Sequence, residues 1–307
     1  MSTAVDRFRL AVAQPRVRRE PSHEANVPRA IELIARGASL GAQLVLFPEH
    51  SPGPFRPGER YDATPAIAEA AVAGDVAVCW SRVEEGPDGP WRLVVYLTGP
   101  DGNQIARYAR AHPATVPPGD TGGWIAPGDE LCTFELGGIT MGIVVCSELW
   151  VPETSRVLAI RGAEVLLSPA GGHFTSLTDN WQLLARARAI ENLCHVALTN
   201  NLYASERGAA MICGPEHPLA SSSTEELIVA DLDLARARWL RDQDDSLGEP
   251  KAFDSIPGLL RARRPELYAE LAAPAEGLFD YHTPPPTPPA HTPPAHTPPP
   301  SHERQSA

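Results

Sequence analysis

The chain has 307 residues, 43% of them hydrophobic, and a formal net charge of -12. That length and apolar content support a sizeable core and exclude disorder throughout, and the negative charge argues against a nucleic-acid backbone or an anionic membrane as partner. The five cysteines (Cys79, Cys132, Cys146, Cys194, Cys213) form no C-x-x-C pair, so neither a disulfide framework nor a metal or other cofactor is expected.

Strands and helices alternate. Phe8 to Ala13 predicts a first strand, and Asn26 to Leu40 a helix with Val27, Ile31, Ile34 and Ala38 on its apolar face. Leu44 to Phe47 predicts a buried strand running into Pro48 and Glu49. Next come a helix over Pro65 to Ala73 and strands over Val76 to Trp80, Arg92 to Leu97 and Gln104 to Tyr108, the last two joined by the turn Gly99-Pro-Asp-Gly102. Ile139 to Val145 predicts another strand, followed by helix Pro152 to Arg161, strand Val165 to Ser168, helix Asp179 to Leu193 and strand His195 to Asn200. Such alternation is an α/β pattern, and the hairpins among the crossovers predict mixed sheets.

Beyond these elements, residues 283–301 read TPPPTPPAHTPPAHTPPPS. Proline cannot donate into a sheet, so the chain divides into a folded unit over 1–281 and an extended, disordered Pro-rich tail over 282–307. At the other end, Met1-Ser-Thr-Ala-Val-Asp-Arg leads into one short apolar run holding Gln14 and Pro15. This is neither a signal peptide nor a membrane span, and a cytoplasmic location is expected.

Three residues stand at or just past strand ends, where α/β proteins place reactive groups: Glu49 after Leu-Val-Leu-Phe-Pro, Arg110 after Gln-Ile-Ala-Arg-Tyr, and Cys146 after Ile-Val-Val. A thiol needs a base or a positive field to become nucleophilic, and acyl transfer needs a donor for the oxyanion. These three side chains supply that set.

The segments GAQLVLFPEH (41–50), RYARAHP (107–113), the run from Ile125 to Ala170, WQLLARARAIENLCHVALTNN (181–201) and IVADLDLARAR (228–238) together resemble the nitrilase superfamily of carbon-nitrogen hydrolases, from about Arg9 to Tyr268. The resemblance implies a four-layer α-β-β-α sandwich of two mixed sheets. It also implies a homodimer or larger homo-oligomer, with the helices around 152–162 and 179–193 facing the partner subunit, and a small-molecule amide or N-carbamoyl substrate. Residue by residue it puts the general base on Glu49 and the nucleophile on Cys146. The lysine of the family's Tyr-x-Lys-x-His frame falls on Arg110, within Tyr108-Ala-Arg-Ala-His112. The chain's one lysine, Lys251, lies far from any such frame. A second glutamate that many relatives carry falls on Thr121, with Asp120 beside it.

An arginine there supplies a fixed charge but is bulkier, forks its donors in a plane and cannot exchange a proton near neutral pH. It is expected to pair bidentately with Glu49. Two readings therefore stand: a hydrolase adapted to arginine, working through a thioester, or an altered protein on the same fold that binds ligands or transfers acyl groups to an amine. Substrate contacts are expected from the loop Ser51 to Asp62, which contains Phe55, Arg56 and Tyr61, and from Trp124, Ser147, Trp150 and His173. Arg56 in that loop is either a carboxylate ligand or a solvated arginine.

Overall fold

In a computed structural model, the described residues are 5–86, 89–114, 124–171, 177–202, 208–244 and 253–283. Asp120, Thr121, His173, Lys251 and all of the Pro-rich tail beyond Thr283 lie outside them. The strands are β1 (Arg7–Ala13), β2 (Leu44–Leu46), β3 (Ala77–Glu85), β4 (Trp91–Thr98), β5 (Gln104–Ala109), β6 (Thr133–Leu136), β7 (Ile139–Ile143), β8 (Val165–Pro169), β9 (His195–Thr199), β10 (Ala210–Cys213), β11 (Pro218–Ser222) and β12 (Leu227–Asp233). The α-helices are α1 (Val27–Ser39), α2 (Thr64–Gly74), α3 (Pro152–Ile160), α4 (Thr178–Asn192) and α5 (Leu234–Asp242).

Two six-stranded sheets form, ordered β12-β1-β2-β3-β4-β5 and β11-β10-β9-β8-β7-β6. Each is parallel in the middle, β1-β2-β3 and β7-β8-β9, and antiparallel toward its edges. The mixed character follows from the connections: helices cross over between the parallel strands, and short turns such as Gly99–Gly102 close the hairpins.

The strands of the first sheet alternate between two cores. Leu10 and Val12, Leu44 and Leu46, and Leu93 and Val95 face the second sheet and join Ile143, Leu167 and Val196 there. The intervening Ala11, Val45, Val78 and Val94 pack outward against Ile34, Ile67 and Ala71 of α1 and α2. Trp181, Ala185 and Ala189 of α4 cover the other sheet, which completes the α-β-β-α layering.

The structure corrects several boundaries. The buried face of α1 is Ala30, Leu33, Ile34 and Gly37, with Val27 and Ala38 packed at its edge; of the four expected residues only Ile31 is exposed. The face is set by close approach to β2, because a Cβ on Gly37 would stand 2.7 Å from Val45 Cγ2. The strand expected to reach Val145 ends at Ile143, since Val144 and Val145 already lead into the turn at Cys146. Strands β6, β10, β11 and β12 and helix α5 were not expected as elements. β11 (Pro218–Ser222) is a polar edge with no buried side chain, which gives it no hydrophobic signature.

Candidate active site

The parallel strands of both sheets end at one place. After β2, Phe47 continues its pairing to Cys79 and the chain turns at Pro48 to present Glu49. The second sheet holds that turn: Glu49 N–H donates to the Ala170 carbonyl at 3.2 Å, and Asn201 Nδ2 donates to the Glu49 carbonyl at 2.7 Å. Gly171 lies so close that a Cβ there would meet the Glu49 carbonyl oxygen at 2.8 Å and its Cβ at 2.9 Å. Only glycine lets the two segments pack this tightly.

Cys146 opens a 3-10 turn, Cys146–Trp150, at the end of β7, with φ 51°. A side chain in this left-handed region costs about 1–2 kcal/mol, so the surrounding packing over-determines it. The turn places the thiol at the gap between the sheets, where the Glu49 carboxylate and the Arg110 guanidinium both act on it electrostatically. Arg110 follows β5, its N–H bonded to the Leu93 carbonyl. The three expected residues thus meet, and Glu49, Arg110 and Cys146 are 3%, 4% and 6% exposed.

Arg110 does not grip Glu49 bidentately. Nη1 donates to Glu49 Oε1 at 2.6 Å, while Nη2 donates to Ser147 Oγ at 2.5 Å. The fork spans two acceptors, and the hydroxyl expected to face substrate instead accepts from the guanidinium. Nε is buried and has no hydrogen-bond partner among the described residues. Burial disfavours the charge on Arg110, but Glu49, the thiol and Glu148 outweigh it and hold its pKa above the ordinary arginine value. Burial and the neighbouring Glu49 charge push the Cys146 thiol up to about 12, with Arg110 and the Gly171 backbone opposing the rise. At neutral pH the thiol keeps its proton.

A residue not singled out as a site residue explains why the Tyr108-x-Arg110-x-His112 frame is rigid. Glu148 is fully buried. Its Oε1 accepts from Tyr108 Oη at 2.7 Å, from the N–H groups of Ala111 and His112 at 3.0 Å each, and from His112 Nδ1 at 3.3 Å; its Oε2 accepts from Val145 N–H at 2.7 Å. One carboxylate therefore joins the segment on both sides of Arg110 to the turn that carries Cys146.

Other expected contacts fall as follows. Tyr61 donates from Oη to the Pro52 carbonyl at 2.9 Å and braces the loop after Glu49. Trp150 is 39% exposed, edge-on to Trp181 of α4. Trp124 is half-buried, next to Ile125, which bridges to Trp91. Arg56 is exposed, while Phe55 is buried and stacks on His23 and His50. Cys79, Cys194 and Cys213 are buried free thiols and Cys132 is half-buried. Among the described residues no three His, Cys, Asp or Glu side chains gather as a metal site, and no helix is long and apolar enough to cross a membrane.

The family model described as carbon-nitrogen hydrolase matches residues 9–242. The chain belongs to the carbon-nitrogen hydrolase family. Its relatives include the omega-amidase NIT2 of Homo sapiens, 28% identical over 284 residues that cover 85% of this chain and 97% of that protein. The omega-amidase NIT2 of Mus musculus is 26% identical over 268 residues, covering 80% and 95%. Among solved structures, a carbon-nitrogen hydrolase from Helicobacter pylori G27 superposes with a TM-score of 0.74 at 20% identity, covering 87% of this chain and 99% of that one. An amidase from Nesterenkonia sp. superposes with a TM-score of 0.66 at 24% identity, covering 86% and 96%. These two share the fold, the α-β-β-α sandwich of this family.

Proposed function

We propose that this carbon-nitrogen hydrolase is a cysteine-dependent amidase adapted to arginine, acting on a small molecule with a terminal amide or N-carbamoyl group. One observation carries the reading: a thiol, a carboxylate and a guanidinium from the ends of three strands converge in one buried cluster, with the guanidinium hydrogen-bonded to the carboxylate and both acting on the thiol. The relatives' name, omega-amidase, supports the choice of an amide.

In this mechanism Glu49 takes the Cys146 proton as sulfur attacks the carbonyl carbon, so no free thiolate accumulates. The oxyanion forms beside Arg110, whose unpartnered Nε–H serves as donor together with the backbone N–H of Ser147. Glu49 returns the proton to the leaving nitrogen, and the C–N bond breaks to leave a thioester. Water, deprotonated by Glu49, then releases the acid and regenerates the thiol. Trp150, Trp124, Tyr61 and His173 remain proposed substrate contacts.

The 2.6 Å contact between Arg110 and Glu49 favours a second reading, in which the base is locked and the protein binds ligands or passes acyl groups to an amine. Ammonia release from a panel of short aliphatic amides, monoamides of dicarboxylic acids and N-carbamoyl amino acids decides between them. Saturable release that disappears in Cys146→Ala is expected. Folded protein that releases no ammonia and takes up no acyl group would overturn the hydrolase reading.

We also propose that residues 1–281 act as one unit in the cytoplasm, with 282–307 dispensable for activity, and that the chain self-associates through the outer face of α3 and α4. The exposed Ile160, Leu183, Ile190, Tyr268 and Leu271 support this surface. Sedimentation should give a dimer or larger species, and Leu183→Glu should weaken it.

A further inference from the structure

His50 follows Glu49 directly and has φ 61°, a conformation that costs most side chains and that asparagine tolerates well. The turn brings its ring back beside the Glu49 carboxylate, with Nε2 3.6 Å from Oε1. Its Nδ1 lies 2.9 Å from the Phe55 carbonyl oxygen. A carbonyl only accepts, so Nδ1 carries the hydrogen and Nε2 of the neutral ring presents its lone pair. Burial keeps His50 below the ordinary histidine pKa, with Glu49 opposing and Arg110 reinforcing the effect. Across the loop, Glu59 faces His50 more weakly; its own oxygens take His23 Nδ1 at 2.5 Å and Phe55 N–H at 2.7 Å.

Two acceptors therefore face each other beyond hydrogen-bond length, and the pair lacks one proton. The chemistry supplies it. Arg110 donates to the same Oε1 and so bonds the carboxylate, whereas a neutral acceptor on the other side can bond only the protonated carboxyl.

We infer that His50 is a positioning residue that holds the protonated form of Glu49 during acyl transfer, offsetting the arginine. This rests on the amidase reading. The Cys146 S–H bond breaks as the S–C bond to the substrate carbonyl forms, and the proton passes to Glu49 Oε1. That O–H donates to His50 Nε2. When the tetrahedral intermediate collapses, the proton leaves Glu49 for the departing nitrogen and the C–N bond breaks, so His50 gains and loses nothing over the step. Once His50 is itself protonated, a second cation lies beside Glu49 and the advantage is lost.

The test uses the full chain and His50→Asn, which suits the positive φ, keeps an amide N–H for the Phe55 carbonyl and leaves nothing at Nε2. Acyl-adduct formation on Cys146 is followed by intact mass, with kcat and KM measured across about pH 5 to 9, a range spanning histidine titration. The expected result is a loss of about tenfold in kcat at neutral pH, the size of one hydrogen bond, with KM and melting temperature unchanged. The deficit should shrink as the pH falls below the histidine range. His50→Gln, which returns an acceptor oxygen near Nε2, should recover part of the rate without that pH dependence. Unchanged kcat in both variants, or a uniform loss at every pH with a lowered melting temperature, overturns the inference while leaving the amidase reading intact. An unaltered protein that forms no adduct overturns both.

Discussion

Two buried glutamates lie on either side of Arg110 and differ in how their oxygens are used. Glu148 is saturated: five donors converge on it, all from the chain itself. The Glu49 carboxylate takes one donor, Arg110, and acts on the nearby Cys146 thiol, with His50 just beyond bonding distance. Both have lost water, yet only Glu49 is placed to gain or release a proton without stranding backbone N–H groups. A carboxylate with all its acceptor sites filled by fixed donors is scaffold, whereas one left beside a proton donor and an unfilled acceptor is set up for proton transfer.

That contrast is broken most severely at Glu49. Glu49→Gln keeps an acceptor for Arg110 but removes the base, and amide turnover should fall on the order of 10³-fold. Steady-state ammonia release measures it. The proton on Cys146 gives an effect of similar size: with the thiol raised from 9.0 to about 12, alkylation by iodoacetamide at neutral pH should be about 10³-fold slower than for an ordinary thiol. It should climb tenfold per pH unit toward that value. A fast reaction at pH 7, read by mass, would mean a preformed thiolate. The opposite substitution, Glu148→Gln, should cost stability: an amide turns a donor toward groups that are all donors, and about 3 kcal/mol should be lost in denaturant unfolding.

Smaller effects sharpen the role of the fork. Arg110→Lys should lower kcat about tenfold, because a compact ammonium cannot hold Glu49 and Ser147 together as the guanidinium does. A rise in activity would instead show that the arginine impairs the site. Ser147→Ala should cost about fivefold in the arginine background, the worth of one hydrogen bond, and much less when combined with Arg110→Lys, as a double-mutant cycle on kcat would report.

The same division governs what could be read from the chain. The first five strands and the α/β order were legible because most of their apolar runs are short and bounded by turns, as in the fully buried Leu44–Leu46, and because the turn Gly99–Gly102 marks the more exposed β5. The face of α1 was legible only in part: Ile34, Val27 and Ala38 do pack inward, but the centre of the face lies at Gly37 meeting Val45, which periodicity does not mark. Glu49, Arg110 and Cys146 were found because each follows an apolar run. Their partners were hidden for different reasons. Ser147 was expected to face substrate, yet its hydroxyl meets Arg110 only because β5 and β7 belong to different sheets that pack together. Glu148 acts through a segment some 36 to 40 residues away in sequence. His50 depends on a single backbone angle that no composition reveals.

The central claim is that Cys146, Glu49 and Arg110 together form a thioester from an amide. Rapid-quench intact mass spectrometry of the unaltered protein mixed with a turned-over amide tests it directly. The account predicts a transient adduct equal to the acyl group, located on Cys146 by peptide mapping, absent in Cys146→Ala and slowed in Glu49→Gln. Ammonia release with no adduct on Cys146, or an adduct formed equally fast in Glu49→Gln, would contradict it.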